Sequence, residues 1–298
     1  MKAPRPSPLQ QAWLVESGLS RPLLGLTLRQ VRGKAAGRPA SPAPAAVPAQ
    51  PARVMRSGSR PAALPRPAAR PRADTGQAEA AGKAAVAALA DDAWETLTRA
   101  VQDCRACALG AMRDRAVPGA GTLSRPDWLI VGEAPSREDD AGGLPFQGDA
   151  GRLLHAMLLA LGQRVEFLAS SHEHLPVTAW SRPATAFFTH LVKCRPLGNR
   201  RPQPEEVAAC RPWLDEQLRR LQPRCVLALG SMAAQSLLAS DAPLDVLRGK
   251  VHRLDDGSAA TIPLIATWHP AVLLMDPRKK AEAWEDLCLA LDSLTDPG

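Results

Sequence analysis

DWLIVGEAPSREDDAGGLPFQGDAGRLLHAMLLAL, residues 127–161, is the stretch on which the fold turns. It opens on a short apolar run, 127–132, of the kind found in a strand buried on both faces. A polar, glycine-rich segment follows, and a helix is predicted over 148–161 with Leu153, Leu154, Met157, Leu158 and Leu161 turned inward. Strand, loop and helix recur downstream. TAFFTHLV (185–192) reads as a second strand, 204–221 as a helix and CVLALG (225–230) as a third strand, followed at once by a helix over 231–238. A fourth strand is predicted at 262–267 and a closing helix at 279–291. Upstream, DDAWETLTRAVQD (91–103) places Trp94, Leu97 and Val101 at helical spacing. Strands alternating with helices predict an α/β fold with a parallel sheet wrapped by helices. In such folds ligands bind beyond the carboxyl ends of the strands. Three loops rich in polar groups emerge there, 132–148, 193–204 and 268–278, so one site assembled from remote sequence is expected.

The ends of the 298-residue chain differ in character. Residues 1–85 carry 14 Lys and Arg against 3 Asp and Glu, whereas the remainder carries 23 against 27. The front of the chain is therefore a basic arm, suited either to a polyanion partner or to a solubilising linker. It divides into a short segment, 1–35, with one possible amphipathic helix at 9–18, and a Pro/Ala/Arg-rich stretch, 36–85. That stretch has too few large apolar side chains to offset chain entropy and reads as a disordered linker. The ordered domain is then 86–298. No run of ~20 apolar residues suggests a membrane span, and prolines at 4, 6 and 8 interrupt any secretory signal. A cytoplasmic protein is expected.

Six cysteines are too few for a disulfide scaffold in a chain of this length. Cys104 and Cys107 form C-x2-C at the end of a predicted helix, Cys194 lies in KCRP, and Cys210 follows with fifteen residues between. A zinc ribbon would supply a second close pair, which is lacking; a four-iron cluster accepts thiolates from scattered positions; and some cysteines can simply pack. Cys225, within a strand, and Cys288, on the apolar side of the last helix, read as core.

Four blocks occur together and in order: VGEAPSREDDAGGLPFQGDAGRLL (131–154), FFTHLVKCRPLGNRRPQPEEVAAC (187–210), LRGKVHRL (247–254) and TWHPAVLLMDPRKKAEAWEDL (267–287). They resemble the signature motifs of the family-4, iron–sulfur uracil-DNA glycosylases. The resemblance spans roughly 90–292, with an expansion at about 167–184. It implies a four-stranded parallel sheet sandwiched by helices, and a [4Fe–4S] cluster on Cys104, Cys107, Cys194 and Cys210 with a mainly structural role. It implies a monomeric hydrolase that releases uracil from single- or double-stranded DNA. By resemblance, Phe146 stacks on the flipped base, His190 and Ala134 help to bind it, His269 stabilises the departing uracilate, and Asp139 and Glu133 complete the catalytic loop. Lys193, Arg195, Asn199, Arg200, Arg201 and Arg248 become candidates for DNA backbone contacts.

The chain departs from the family pattern at Ser136 (usually Gly), Asp139 (Glu), Gln147 (an apolar residue) and His190 (Asn). An amide offers a donor and an acceptor side by side to a uracil edge, whereas an imidazole offers one nitrogen at a time. His190 thus raises two alternatives: a catalytically weak or inactive cluster-bearing DNA-binding protein, or a glycosylase with altered base specificity. A zinc protein with four thiolate ligands is a third.

Overall fold

A computed structural model describes residues 75–87, 93–165, 182–255 and 261–295. The possible helix at 9–18, most of the linker and most of the 167–184 expansion lie outside these residues. The strands are β1 (Ala120–Gly121), β2 (Trp128–Gly132), β3 (Gln163–Arg164), β4 (Arg182–Pro183), β5 (Ala186–His190), β6 (Cys225–Leu229), β7 (Val251–Leu254) and β8 (Ile262–Thr267). The main sheet runs β1-β5-β2-β6-β8-β7. Its four central strands, β5, β2, β6 and β8, are parallel, as predicted. Two short antiparallel edges, β1 and β7, flank them. Every residue of β2, β5 and β6 is buried; β2 and β6 are uninterrupted in apolar character for that reason, while β5 ends on the buried polar pair Thr189 and His190.

The helices are α1 (Thr75–Ala87), α2 (Trp94–Asp103), α3 (Arg137–Gly142), α4 (Asp149–Ala160), α5 (Pro204–Leu221), α6 (Ser231–Leu238), α7 (Leu244–Leu247), α8 (Pro270–Met275) and α9 (Lys280–Thr295). Side chains alternate across the sheet with period two. Ile130, Phe188, Leu227, Leu229 and Ile265 pack with Leu154, Leu158 and Leu287 of α4 and α9 on one face. Leu129, Val131, Phe187, Val226 and Ala266 pack with Leu214 and Leu218 of α5 and Ala233 and Leu237 of α6 on the other. A third, smaller cluster joins Leu97 and Val101 of α2 to Trp213, Cys194 and Cys210. Among the described residues no helix is long and apolar enough to cross a membrane.

Of the stretch 36–85, read as linker, residues 75–85 are described and are helical. α1 is an alanine-rich helix with a Lys83–Glu79 pair one turn apart, and it lies along α5. The approach is close enough that a Cβ on Gly82 would sit 2.2 Å from the Ala209 carbonyl oxygen. Ala85 and Val86 pack against the cysteine-bearing cluster. Residues 75–85 are therefore helical and packed against the domain.

Candidate active site and thiol cavity

The parallel register sets Gly132, the last residue of β2, opposite His190, the last residue of β5. A Cβ at Gly132 would come within 2.8 Å of His190 Cδ2 and 3.1 Å of Phe146 Cζ, so the glycine makes room for both rings. Phe146 stacks on His190 with ring centroids 4.8 Å apart and planes 21° from parallel. His269, two residues beyond β8, faces the same phenyl ring at 6.4 Å and 26°. Three remote loops thus converge on Phe146.

The Phe146 turn is built by neighbouring side chains. Phe146 has φ of 57°, a left-handed conformation uncommon for a bulky residue. Asp139 Oδ1 accepts from Gln147 N at 2.7 Å, and Gln147 Nε2 donates back to the Pro145 carbonyl at 2.9 Å. The start of α4 presses so closely on the turn that a Cβ on Gly151 would lie 1.7 Å from the Phe146 carbonyl oxygen. Asp139 Oδ2 accepts from Ser136 N at 3.0 Å while Ser136 Oγ accepts from Asp139 N at 3.1 Å. This reciprocal capping box starts α3. Ser136, Asp139 and Gln147, three of the four departures, therefore form one local unit.

Asp139 lies beside His190, with Oδ2 3.6 Å from Nε2. Burial, with His269 and Lys193 nearby, holds the His190 pKa well below its ordinary value, so the ring is neutral. Its Nδ1 is buried without a hydrogen-bond partner. Burial likewise lowers His269 to about 4, against a smaller opposing pull from Asp139. His269 Nδ1 accepts from Ala271 N at 3.2 Å and caps α8. In the neutral ring the single proton therefore resides on Nε2, which is left as a donor.

The remaining candidates divide. Glu133 Oε1 accepts from Met232 N at 2.9 Å, so it caps α6 and fixes its loop. Ala134 packs at the edge of the cysteine cluster. Arg195, Asn199 and Arg200 share one loop: Arg195 Nε donates to Asn199 Oδ1 at 2.7 Å, and the Arg200 guanidinium forks onto Glu206 at 2.9 and 2.6 Å. Arg201 donates to Ser231 Oγ at 3.3 Å. Two of the residues expected at phosphates have partners inside the protein. Lys193 is only 1% exposed, and its ammonium is surrounded by Thr189 Oγ1 (2.6 Å), the His190 carbonyl (2.7 Å) and Gln217 Oε1 (2.8 Å). Arg248 donates to Asp286 Oδ2 (3.0 Å) and to the Glu282 carbonyl (2.7 Å) of α9, and Gly249 N donates to Asp286 Oδ1 (3.0 Å). Lys193 is thus enclosed within the protein, whereas Arg248 is part-buried against α9.

Cys104, Cys107, Cys194 and Cys210 line a single cavity together with Val101, Arg113, Lys193 and Trp213. Burial raises the thiols of Cys107 and Cys194, and pushes Cys210 up to about 12. Each sulfur nevertheless faces an N–H group. Arg113 donates to Cys194 Sγ at 2.9 Å, Lys193 N to Cys210 Sγ at 3.2 Å and Ala106 N to Cys104 Sγ at 3.5 Å. Main-chain N–H groups of Leu109 and Gly110 face Cys107. Donors aimed at sulfur favour the thiolate once its proton is drawn off by a metal. Among the described residues no three His, Cys, Asp or Glu side chains converge closely enough to hold a single ion. What the four cysteines share is the lining of one cavity. Cys225 is buried in the sheet and Cys288 packs against the core, as expected of both.

Sequence reasoning missed Arg113, Thr189 and Gln217, which carry no local motif. It also missed the capping role of Ser136, although S-x-x-D is a recognisable signal.

The profile of the uracil DNA glycosylase superfamily matches residues 118–288. A type-4 uracil-DNA glycosylase of Pyrobaculum aerophilum is 34% identical over 211 residues, covering 68% of this chain and 97% of that protein. One from Archaeoglobus fulgidus is 32% identical, over 65% of this chain and 90% of its own. A type-5 uracil-DNA glycosylase of Thermus thermophilus is 34% identical over a shorter span, 52% of this chain and 68% of its own.

Proposed function

Since the chain belongs to the uracil DNA glycosylase superfamily, and within it to the type-4 group, we propose that it hydrolyses the N-glycosidic bond of uracil in DNA. The observation that carries this reading is the convergence of Phe146, Asp139, His190 and His269 at the carboxyl ends of the parallel strands. The target nucleotide is extruded from the stack at a cost of a few kcal/mol, and stacking on an aromatic face returns ~1–3 kcal/mol. Phe146 is that face. As the bond from C1′ to N1 breaks, its electron pair departs on uracil and negative charge gathers at the carbonyl oxygen. The Nε2–H of neutral His269 donates there; one well-placed donor of this kind contributes about 10²–10³ in rate. Asp139, whose oxygens each accept one main-chain N–H, retains lone pairs to hold the attacking water and to favour positive charge on the sugar. Glu133 supports the loop by capping α6.

Cys104, Cys107, Cys194 and Cys210 would hold a [4Fe–4S] cluster. When bound, it supplies metal–sulfur bonds that join the end of α2 to the loop after β5 and to α5. The loop bearing Arg195, Asn199 and Arg200 would follow the DNA backbone, with affinity that weakens as salt rises. The enzyme would act as a cytoplasmic, nucleoid-associated monomer, and the basic arm would add sequence-independent attraction.

His190 favours a second reading. Its ring already lies against Phe146, and it offers one unpartnered nitrogen where an amide would offer two groups. Uracil would then be read weakly, or another base preferred. Purified protein incubated with matched oligonucleotides bearing uracil, hypoxanthine or xanthine tests both. Abasic sites at uracil support the first reading, and release of a purine alone supports the second. Binding without release of any base overturns both. His190→Asn is expected to raise uracil excision; a fall would mean that the imidazole serves the reaction directly.

A further inference from the structure

Lys193 stands between the two sites. Alternation along β5 sends His190 toward Phe146 and Thr189 to the opposite face, toward Gln217 of α5. Lys193 lies beyond the strand, lines the thiol cavity and returns its side chain to both residues. Three acceptors surround Nζ within 2.8 Å, which matches the three donors of an ammonium and would leave a neutral amine with a lone pair against an acceptor. None of the three is anionic, and among the described residues no carboxylate lies within ion-pair distance. A buried charge without a counter-charge is strongly unfavourable. The sulfurs of Cys210 and Cys194 act on it most strongly among the nearby groups able to supply one, ahead of the more weakly acting carboxylate of Asp215.

We infer that Lys193 is a positioning residue that couples the two sites: its ammonium balances the negative charge of a cluster held by four thiolates, and it holds the main chain at His190 in place for the base. The inference rests on the cluster reading. It explains why a lysine occupies a buried position where a phosphate contact was expected, and why the wall of the base pocket depends on a cavity on the other side of the sheet edge.

The test uses the full chain, purified anaerobically, with iron content and visible absorbance measured before anything else. Cluster potentials follow net charge and hydrogen bonding. Lys193→Met with iron retained should therefore take a reducing titration at a more negative potential than the parent. It should also lose at least tenfold in kcat on a uracil oligonucleotide, with KM changed less than threefold, because sub-ångström to ångström misplacement of reacting groups costs up to about 10²-fold. Lys193→Gln drops the charge but keeps a donor near the His190 carbonyl. It should show the same potential shift with a smaller rate loss, and it carries the test if the methionine variant does not accumulate. An unshifted potential, or an unchanged kcat in the methionine variant, overturns the coupling. A parent protein without iron overturns the cluster reading and the coupling with it.

Discussion

The base pocket and the thiol cavity sit at neighbouring corners of one sheet, yet they are assembled differently. In the pocket nearly every chemistry-bearing side chain also terminates a helix or closes a turn. Asp139 caps α3, Glu133 caps α6, His269 caps α8, and Gln147 closes the turn around Phe146. These bonds form with the fold and require nothing else. In the cavity four sulfurs arrive from three separate stretches of chain, burial opposes ionisation of three of them, and the donors aimed at them are fully used only by a thiolate. The pocket is preorganised by its own main chain; under the proposed reading the cavity would be completed by a cluster.

The largest effect should come from Cys210→Ala. Loss of iron should be accompanied by a melting temperature lower by roughly 10 °C, since a few kcal/mol in a domain of this size correspond to about 2–4 °C each. The sheet signal in circular dichroism should persist at room temperature. An unmoved melting temperature would make the two regions equally self-sufficient and erase the contrast. Next, His269→Ala should lower kcat by about 10²-fold while iron content and DNA affinity stay at parental levels. Iron loss in this variant would mean that the pocket and the cavity are not separately built.

A smaller effect concerns pH. His269 has a folded-state pKa of about 4 against an ordinary value of 6.5. Between these values the unfolded chain binds the extra proton, so stability is full above about 6.5 and declines as pH falls toward about 4. Denaturation midpoints from pH 7 to 4 check this, and His269→Gln should flatten the decline. The smallest change is expected from Ser136→Gly, because glycine replaces a capping serine at a cost of only a few tenths of a kcal/mol. A loss above about 1 kcal/mol in urea titration would show that the capping box braces the Phe146 turn as well as α3.

The parallel core was legible because β2 and β6 are buried on both faces and leave unbroken apolar runs, and β5 opens on the apolar Ala186, Phe187 and Phe188. The edges were not. β7 is half exposed, its residues alternate only weakly, and VHRL reads equally well as loop. α1 was hidden by composition: alanine supplies helix propensity but no large apolar side chain to betray a buried face, and the prolines that mark the linker end at Pro71. In the site, Phe146, His190 and His269 were found through motifs that surround them. The internal partners of Lys193 and Arg248 were not legible because sequence displays a cation without its partners, and those partners, Gln217 and Asp286, lie 24 and 38 residues away.

The contact between Gly82 and Ala209 has a practical side. A shortened chain starting at residue 86, as the composition alone invites, would remove the helix that shields the turn of α5 just before Cys210. If the cavity holds the proposed cluster, oxygen and chelators would gain a route to the sulfurs, and such a protein should leave the column pale and bleach quickly in air. Starting a few residues ahead of Thr75 keeps that cover and should preserve the colour.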